Sequence, residues 1–418
     1  MTPIATSPDG QRGRTAYRVY LAANAATFFA LHTVYTMAAV YYVRVVGMSP
    51  LQLVLVGTAL EVGYFAFEVP TGVVADAYSR KWSVIAGTAL LGAGFIVQGV
   101  VPVFAVIAAA EMVKGVAHTF ISGSWEAWIA DEIGEERARR AYLRGAQFST
   151  LGGLGGTLAG AGLATLRLDL PIVTGGCLML VLAAGLVLLM PEHGFRPAPR
   201  EERGSWAQMA HIARKGLRVV RGRPVLTGLV AVTFVEGAFS EGLDRLWEAH
   251  LLTNVSLPSL GSVDSVFWFG LINAAGMVLS LAGTEVARRR LGGAGQRPTA
   301  RALLVLTVVL TASVAVFGLA RSFALALTAR LAASVCRAVM DPLYVGWLNR
   351  DLDPSVRATV ISMGGQANAL GQIAGGPAVG ALGSALSLRA ALLASAALLT
   401  PAVAIYARLQ RLVREVSV

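Results

Sequence analysis

Charge is what this sequence has least of. Only 14% of its 418 residues are Asp, Glu, Lys or Arg, against roughly 25% in an average soluble domain. A soluble chain of this length needs a polar shell, and this composition cannot supply one. Cysteine is nearly absent. Cys177 and Cys336 stand alone in apolar runs, which excludes a disulfide framework and predicts two buried, inert thiols. No phosphate-cradling GxxxxGK[ST] loop occurs, so ATP is not expected to drive the protein. No His/Cys cluster has metal-ligand spacing, and Gly123-Ser124 lacks the rest of a nucleophile elbow. An enzyme, a metal site and a cofactor are therefore not expected. The start, MTPIATSPDGQRGRTAYR, has no hydrophobic core followed by a small-residue cleavage site, so no removable leader is expected.

Hydrocarbon is what the chain has instead. Hydrophobic residues make up 55% of it, and the mean hydropathy is +0.63. A bilayer provides the apolar solvent such a composition needs. Apolar runs predict spans at 19–43, 51–74, 82–101, 103–130, 142–165, 170–190, 224–248, 265–287, 301–319, 322–348, 358–384 and 389–409. Each is near or above the roughly twenty residues that cross a hydrocarbon core.

The net charge of +11 could suit a nucleic acid, but the basic residues sit in short loops between apolar runs. That is the pattern of membrane orientation, and no nucleic-acid partner is expected. Alternate loops carry Arg12, Arg14 and Arg18; Arg80 and Lys81; Arg137, Arg139, Arg140 and Arg144; Arg288, Arg289, Arg290 and Arg297; Arg350 and Arg357; and Arg408, Arg411 and Arg414. The opposite loops hold little beyond Arg44, Arg167, Arg321 and Arg389. The positive-inside rule then predicts a cytoplasmic (inner) membrane protein with both termini cytoplasmic, and an even number of spans.

The longest connection begins PEHGFRPAPREERG, a polar, proline-rich stretch, and continues with Trp206, Met209, Ile212, Leu217 and Val220 among Arg214, Lys215, Arg218 and Arg221. This predicts a linker followed by a basic amphipathic helix on the inner membrane surface. The linker, 191–223, divides the chain into 1–190 and 224–418. A shift of 219 residues brings Trp128 onto Trp347, Gly145 onto Gly364, Gln147 onto Gln366, Gly152 onto Gly371 and Gly156 onto Gly375. The fourth and fifth spans thus overlay the tenth and eleventh, an internal repeat. The expected fold is an all-α membrane protein of twelve transmembrane helices in two pseudo-symmetric six-helix bundles.

The loop after the second span reads Gly72-Val-Val-Ala-Asp76-Ala-Tyr-Ser-Arg80-Lys81. It resembles the cytoplasmic signature of the major facilitator superfamily: a Gly, an Asp four residues on, then a basic pair. Twelve spans in two halves with a basic central linker look like the same family. Ala77 and Ser79 depart from the signature, where the family often has a basic residue and a Gly. Glu111-Met-Val-Lys114-Gly115 stands where drug–proton antiporters often carry Arg and Gln-Gly, and a Gly-rich element with a Pro, Gly371 to Pro377, falls on the eleventh span instead of the fifth. These departures weaken the resemblance to antiporters and leave the superfamily resemblance intact. The resemblance implies a gating role for Gly72, Asp76, Arg80 and Lys81. Physically, Gly72 would let helices approach closely, and Asp76 could pair with Arg80. A topology anchor alone would also need the basic pair.

Ionisable residues inside spans cost about 2.5–3.5 kcal/mol each on insertion scales, so those present need a reason. On the fourth span Glu111, Lys114, Gly115, His118 and Ser122 share one helix face, and on the tenth Arg330, Ser334, Arg337 and Asp341 do the same. Both stripes are expected to line a central cavity. Pairing of Glu111 with Lys114, and of Arg337 with Asp341, is the structural alternative. The seventh span carries Glu236, Ser240, Asp244 and Glu248 at four-residue steps, with Glu241 and Arg245 as a structural pair; the second carries Glu61 and Glu68. Carboxyls at lipid depth favour their neutral form, which suits groups that load and unload protons. Glu61, Glu111, Glu236 and Asp244 are the proton-coupling candidates. Asn24, His32, Tyr35, Lys114, His118, Arg330, Arg337 and Asp341 are the solute-binding candidates, although His32 could equally make a helix–helix hydrogen bond.

Three functions follow as expectations. The leading one is proton-coupled efflux of a small cationic, amphiphilic or zwitterionic organic solute by alternating access. The others are import of an organic anion held by Lys114, Arg330 and Arg337, and a non-transporting receptor or lipid-handling protein on the same fold. The expected partners are a small-molecule solute, protons and the lipid bilayer, with the chain acting as a monomer.

Overall fold

The computed structural model describes residues 8–197, 214, 217–258, 267–291, 295–349 and 354–415. Among them are thirteen helices and no strand: α1 (Pro8–Arg44), α2 (Pro50–Ala77), α3 (Arg80–Val100), α4 (Phe104–Ile121), α5 (Ser124–Ile133), α6 (Glu135–Ala164), α7 (Leu170–Leu189), α8 (Pro224–Asn254), α9 (Phe267–Leu291), α10 (Gln296–Leu319), α11 (Phe323–Asn349), α12 (Pro354–Ala385) and α13 (Leu388–Glu415). The basic helix expected from Trp206 to Arg221 falls largely outside the described residues.

Among the described residues, ten stretches are long and apolar enough to cross a membrane. One of them joins α4 and α5, the expected fourth span. That span breaks at Gly123, whose φ of 73° is in the left-handed region where only glycine sits without strain. The two expected spans outside the ten are α6 and α12. They are 30 and 32 residues long, but α6 opens with Glu135, Glu136, Arg137, Arg139 and Arg140, and glycine dilutes the hydropathy of both.

The chain groups into two compact units, Met1–Val46 with Val62–Ser205, and Gly47–Glu61 with Trp206–Val418. Helix pairing in the first recurs in the second. In the first unit α1 packs on α6 and α7, and α3 packs on α4 and α7. In the second, α8 packs on α12 and α13, and α10 on α11 and α13.

Glycine sets the closest of these contacts. A β-carbon at Gly152 or Gly156 of α6 would collide with the carbonyl oxygens of Ala25 and Phe29 on α1. At Gly371 and Gly375 of α12 it would collide with those of Phe234 and Ala238 on α8. Lipid tails offer no hydrophobic contrast to drive helices together, so close backbone approach through small residues carries the association. Low hydropathy and tight packing in α6 and α12 thus have one cause.

Candidate functional site

The second unit holds a ladder of opposite charges between α8 and α11. Steps of four residues put Glu236, Ser240, Asp244 and Glu248 on one face of α8. Their partners come from α11 in reverse order: Arg330 lies in the field of Glu248 and Asp244, while Arg337 and Asp341 lie in that of Glu236. The two helices therefore run antiparallel along this seam.

A cavity of about 680 Å³ opens beside the ladder, with Glu236, Asp244, Arg337 and Asp341 in its wall. Arg337 donates to Asp244 at 2.5 Å, with side chains 38% and 37% exposed. Both residues line the cavity. Three carboxylates face one guanidinium there. The pairing of Arg337 with Asp341 offered by sequence spacing is not the one formed; the ring of Phe239 instead flanks the guanidinium, 5.8 Å away. Arg330 donates to Ser334, stacks over the Trp247 ring at 4.7 Å, and lines a second cavity of about 290 Å³ with Arg337 and Asn273.

Glu61 belongs to this unit as well. The Gln372 side chain reaches it, and Glu241 and Arg245 act on it electrostatically. Gln372 in turn donates to Asn368 at 2.8 Å, and Asn368 to the Thr233 carbonyl at 3.2 Å. All three residues of that chain line the large cavity, so Glu61 connects to it through an amide relay. Glu241 and Arg245 form the expected pair, 3.3 Å apart. Gly57 makes room for them, because a β-carbon there would strike both side chains. Sequence reasoning missed Gln372, Asn368 and Gly57. The i, i+4 amides Asn368 and Gln372 inside an otherwise small-residue helix were the available signal.

The first unit differs. Glu111 and Lys114 pair at 2.9 Å with side chains only 2% and 0% exposed. Lys114 also donates to Gln98 at 3.0 Å and stands over Phe95 at 4.1 Å, and the Tyr42 hydroxyl donates to Glu111 at 3.3 Å. Of the stripe expected to line a cavity, Glu111, Lys114 and Gly115 are buried in packing between α1, α3 and α4, while His118 is half-buried and Ser122 exposed. Gly94 permits it, since a β-carbon there would meet the Lys114 stem. His118 lies in the field of this pair. Tyr35 packs edge-on against Phe95. Asn24 donates to the Tyr20 carbonyl at 2.8 Å and accepts from Ser149 at 3.3 Å, and His32 meets Thr157 at 3.4 Å. Asn24 and His32 thus stitch α1 to α6.

The signature loop is an ion-pair cluster. Arg80 bridges Asp76 at 3.4 Å and Asp131 of α5 at 2.5 Å. Lys81 donates its side chain to the Val187 carbonyl at 3.0 Å. Gly72 is not a close-approach glycine, because a β-carbon there would meet nothing within 4 Å. On α2 that part is taken by Gly63, against the Met112 carbonyl of α4. The thiols also differ from expectation: Cys336 is buried, but Cys177 is exposed on α7.

Comparison with known proteins agrees with this architecture. The chain is 23% identical over 363 residues to the MFS-type transporter YxaM of Bacillus subtilis (strain 168), covering 81% of this chain and 82% of that one. Among solved structures it is similar to a mutant form of the nucleoside transporter NupG, with a TM-score of 0.78, 13% identity, and 94% and 99% of the two chains covered. It is also similar to an inward-facing bacterial homolog of the human lysosomal transporter Spinster, with a TM-score of 0.73, 14% identity, and 97% and 98% covered. The family model of the Major Facilitator Superfamily matches residues 20–308, well over half of the chain, and the protein belongs to that superfamily of membrane transporters.

Proposed function

We propose that the protein exchanges protons for a small organic cation or zwitterion and exports it. The observation that carries this reading is the cavity wall in which Glu236, Asp244 and Asp341 face a single arginine, itself paired with Asp244. A carboxyl in such a chamber cannot hold a proton and a cationic solute at once. The two ligands therefore occupy it alternately, and alternate occupancy couples opposite fluxes. Protons entering down their gradient then drive the solute outward. Glu61 extends the proton-accessible set through Gln372 and Asn368. An organic anion is disfavoured, since Arg337, the one cation of the wall among the described residues, is already engaged.

Within this reading Asn24, His32, Glu111 and Lys114 hold the first unit together. Arg80, Asp76 and Lys81 serve the gate, a reading that the ion pairs of Arg80 with Asp76 and Asp131 support. The chain acts as a monomer in the inner membrane, with the basic loop set on the cytoplasmic side.

The test is flux in proteoliposomes, with tetraphenylphosphonium and a panel of zwitterions as probes. An imposed pH gradient is expected to drive probe movement against the proton flux. Probe affinity should fall as pH is lowered, and Glu236→Gln should flatten that dependence. Flux of every probe that ignores the gradient would remove the proton role.

A further inference from the structure

The smaller cavity, about 290 Å³, lies between α9 and α11. Its polar wall is Asn273 and Ser280 from α9, with Arg330, Ser334 and Arg337 from α11. Each of these side chains can donate a hydrogen bond, and among the described residues no carboxylate lines the wall. The large chamber is the reverse, with Glu236, Asp244 and Asp341 facing a single arginine. That arginine, Arg337, is common to both walls, while its partner Asp244 lines the large chamber alone. Two cavities of opposite character thus meet at one guanidinium.

Arg330 is the cation that the carboxylate chamber leaves unused. It stands inside a span, where a charge needs a partner. Asp244 and Glu248 lie in its field. Yet the ion pairs of this seam among the described residues, Asp244 with Arg337 and Glu241 with Arg245, do not include it. Its Nη1 donates to Ser334, and its face stacks over Trp247 at 4.7 Å. Its Nε is buried and has no hydrogen-bond partner among the described residues. The ring fixes the plane of the guanidinium and the serine takes one nitrogen, which leaves the Nε edge of the fork. An edge of that kind binds both oxygens of a carboxylate at once.

On the reading of the acidic chamber as a cation site, we infer that the small cavity seats the carboxylate of a zwitterionic solute whose cationic group lies in that chamber. A lone anion would have to take Arg337 from Asp244 and strand the aspartate. A zwitterion avoids this. Its cationic group pairs with Asp244 while its carboxylate takes Arg337 and Arg330, so one internal ion pair is exchanged for two with the solute. Neither a plain cation nor a plain anion completes that exchange. The solute class narrows to amino acids, betaines and similar small zwitterions.

The experiment measures binding to the full chain in detergent. The probes are leucine, phenylalanine, carnitine and glycine betaine, each beside its methyl ester, which keeps the cation and lacks the carboxylate. At least one acid is expected to bind about tenfold or more tighter than its ester, the worth of a charge-assisted contact. Arg330→Gln should bring that ratio close to one. Arg330→Lys, which keeps the charge and loses the fork, should fall between. Asn273→Asp places a carboxylate in the seat and should also abolish the preference. If Arg330→Gln does not fold, Asn273→Asp decides. The assignment is overturned if no acid outbinds its ester, or if Arg330→Gln weakens acid and ester alike and keeps their ratio, or if Asn273→Asp keeps it. The proton-exchange reading fails separately, when flux of tetraphenylphosphonium and of the acids in proteoliposomes ignores an imposed pH gradient.

Discussion

The two units share a scaffold and differ in where they put their charge. Both seat a glycine-rich helix on their first helix, α6 on α1 and α12 on α8, through carbonyl contacts that a side chain would block. Both carry ionisable residues deep in the fold. In the first unit Glu111 and Lys114 neutralise each other in packing that admits almost no solvent, while in the second Asp244 and Arg337 pair at the edge of a cavity and stay more than a third exposed. Repetition of a scaffold therefore does not repeat its chemistry. Removing charge should unfold the one unit and disarm the other.

The sharpest break of that comparison is Lys114→Met. It strands the Glu111 carboxylate among Tyr42, Gln98 and Phe95, and about 3–5 kcal/mol of stability should be lost. Thermal unfolding of the purified protein would show it, and Glu111→Gln added to Lys114→Met should restore most of the loss.

Glycine substitutions sharpen the shared part. Gly156→Ala and Gly375→Ala each press a methyl group on a facing carbonyl, so each should cost about 1–3 kcal/mol. Gly185→Ala is the control, because nothing lies within 4 Å of a β-carbon there. Unequal costs at Gly156 and Gly375 would mean the two seats are not equivalent.

In the second unit Asp244→Asn and Arg337→Gln should change stability by no more than about 1 kcal/mol, because solvent in the cavity screens a pair that is more than a third exposed. Transport should nevertheless fall more than tenfold in both. A large stability loss with transport intact would invert the assignment of the two units. The smallest expected effect is at the signature loop. Arg80→Gln should cost about 1 kcal/mol or less, since its partners Asp76 and Asp131 are 63% and 28% exposed. Its consequence should be read in transport rate.

Much of the site was legible. Four-residue steps on α8 and the stripe on α11 are patterns along single helices, and the chamber is built from them. Which acid meets Arg337 was not legible. Asp341 is the neighbour along α11, but Asp244 comes from a helix 93 residues away. Glu61 is similar: its link to the cavity runs through Gln372 of α12, which no spacing on α2 could reveal.

What the amino-acid order determined by itself is what a single helix can express: length, apolarity, small residues at i, i+4, and which side chains share a face. Those follow from the 3.6-residue turn and from the cost of placing polar atoms in lipid. Only the tertiary structure decided which faces meet. Stripes of ionisable residues with similar spacing end in a sealed ion pair or an open chamber according to whether Gly94 lets Lys114 sink against α3, or α8 and α11 leave a void beside them. That outcome depends on volume contributed by several helices at once.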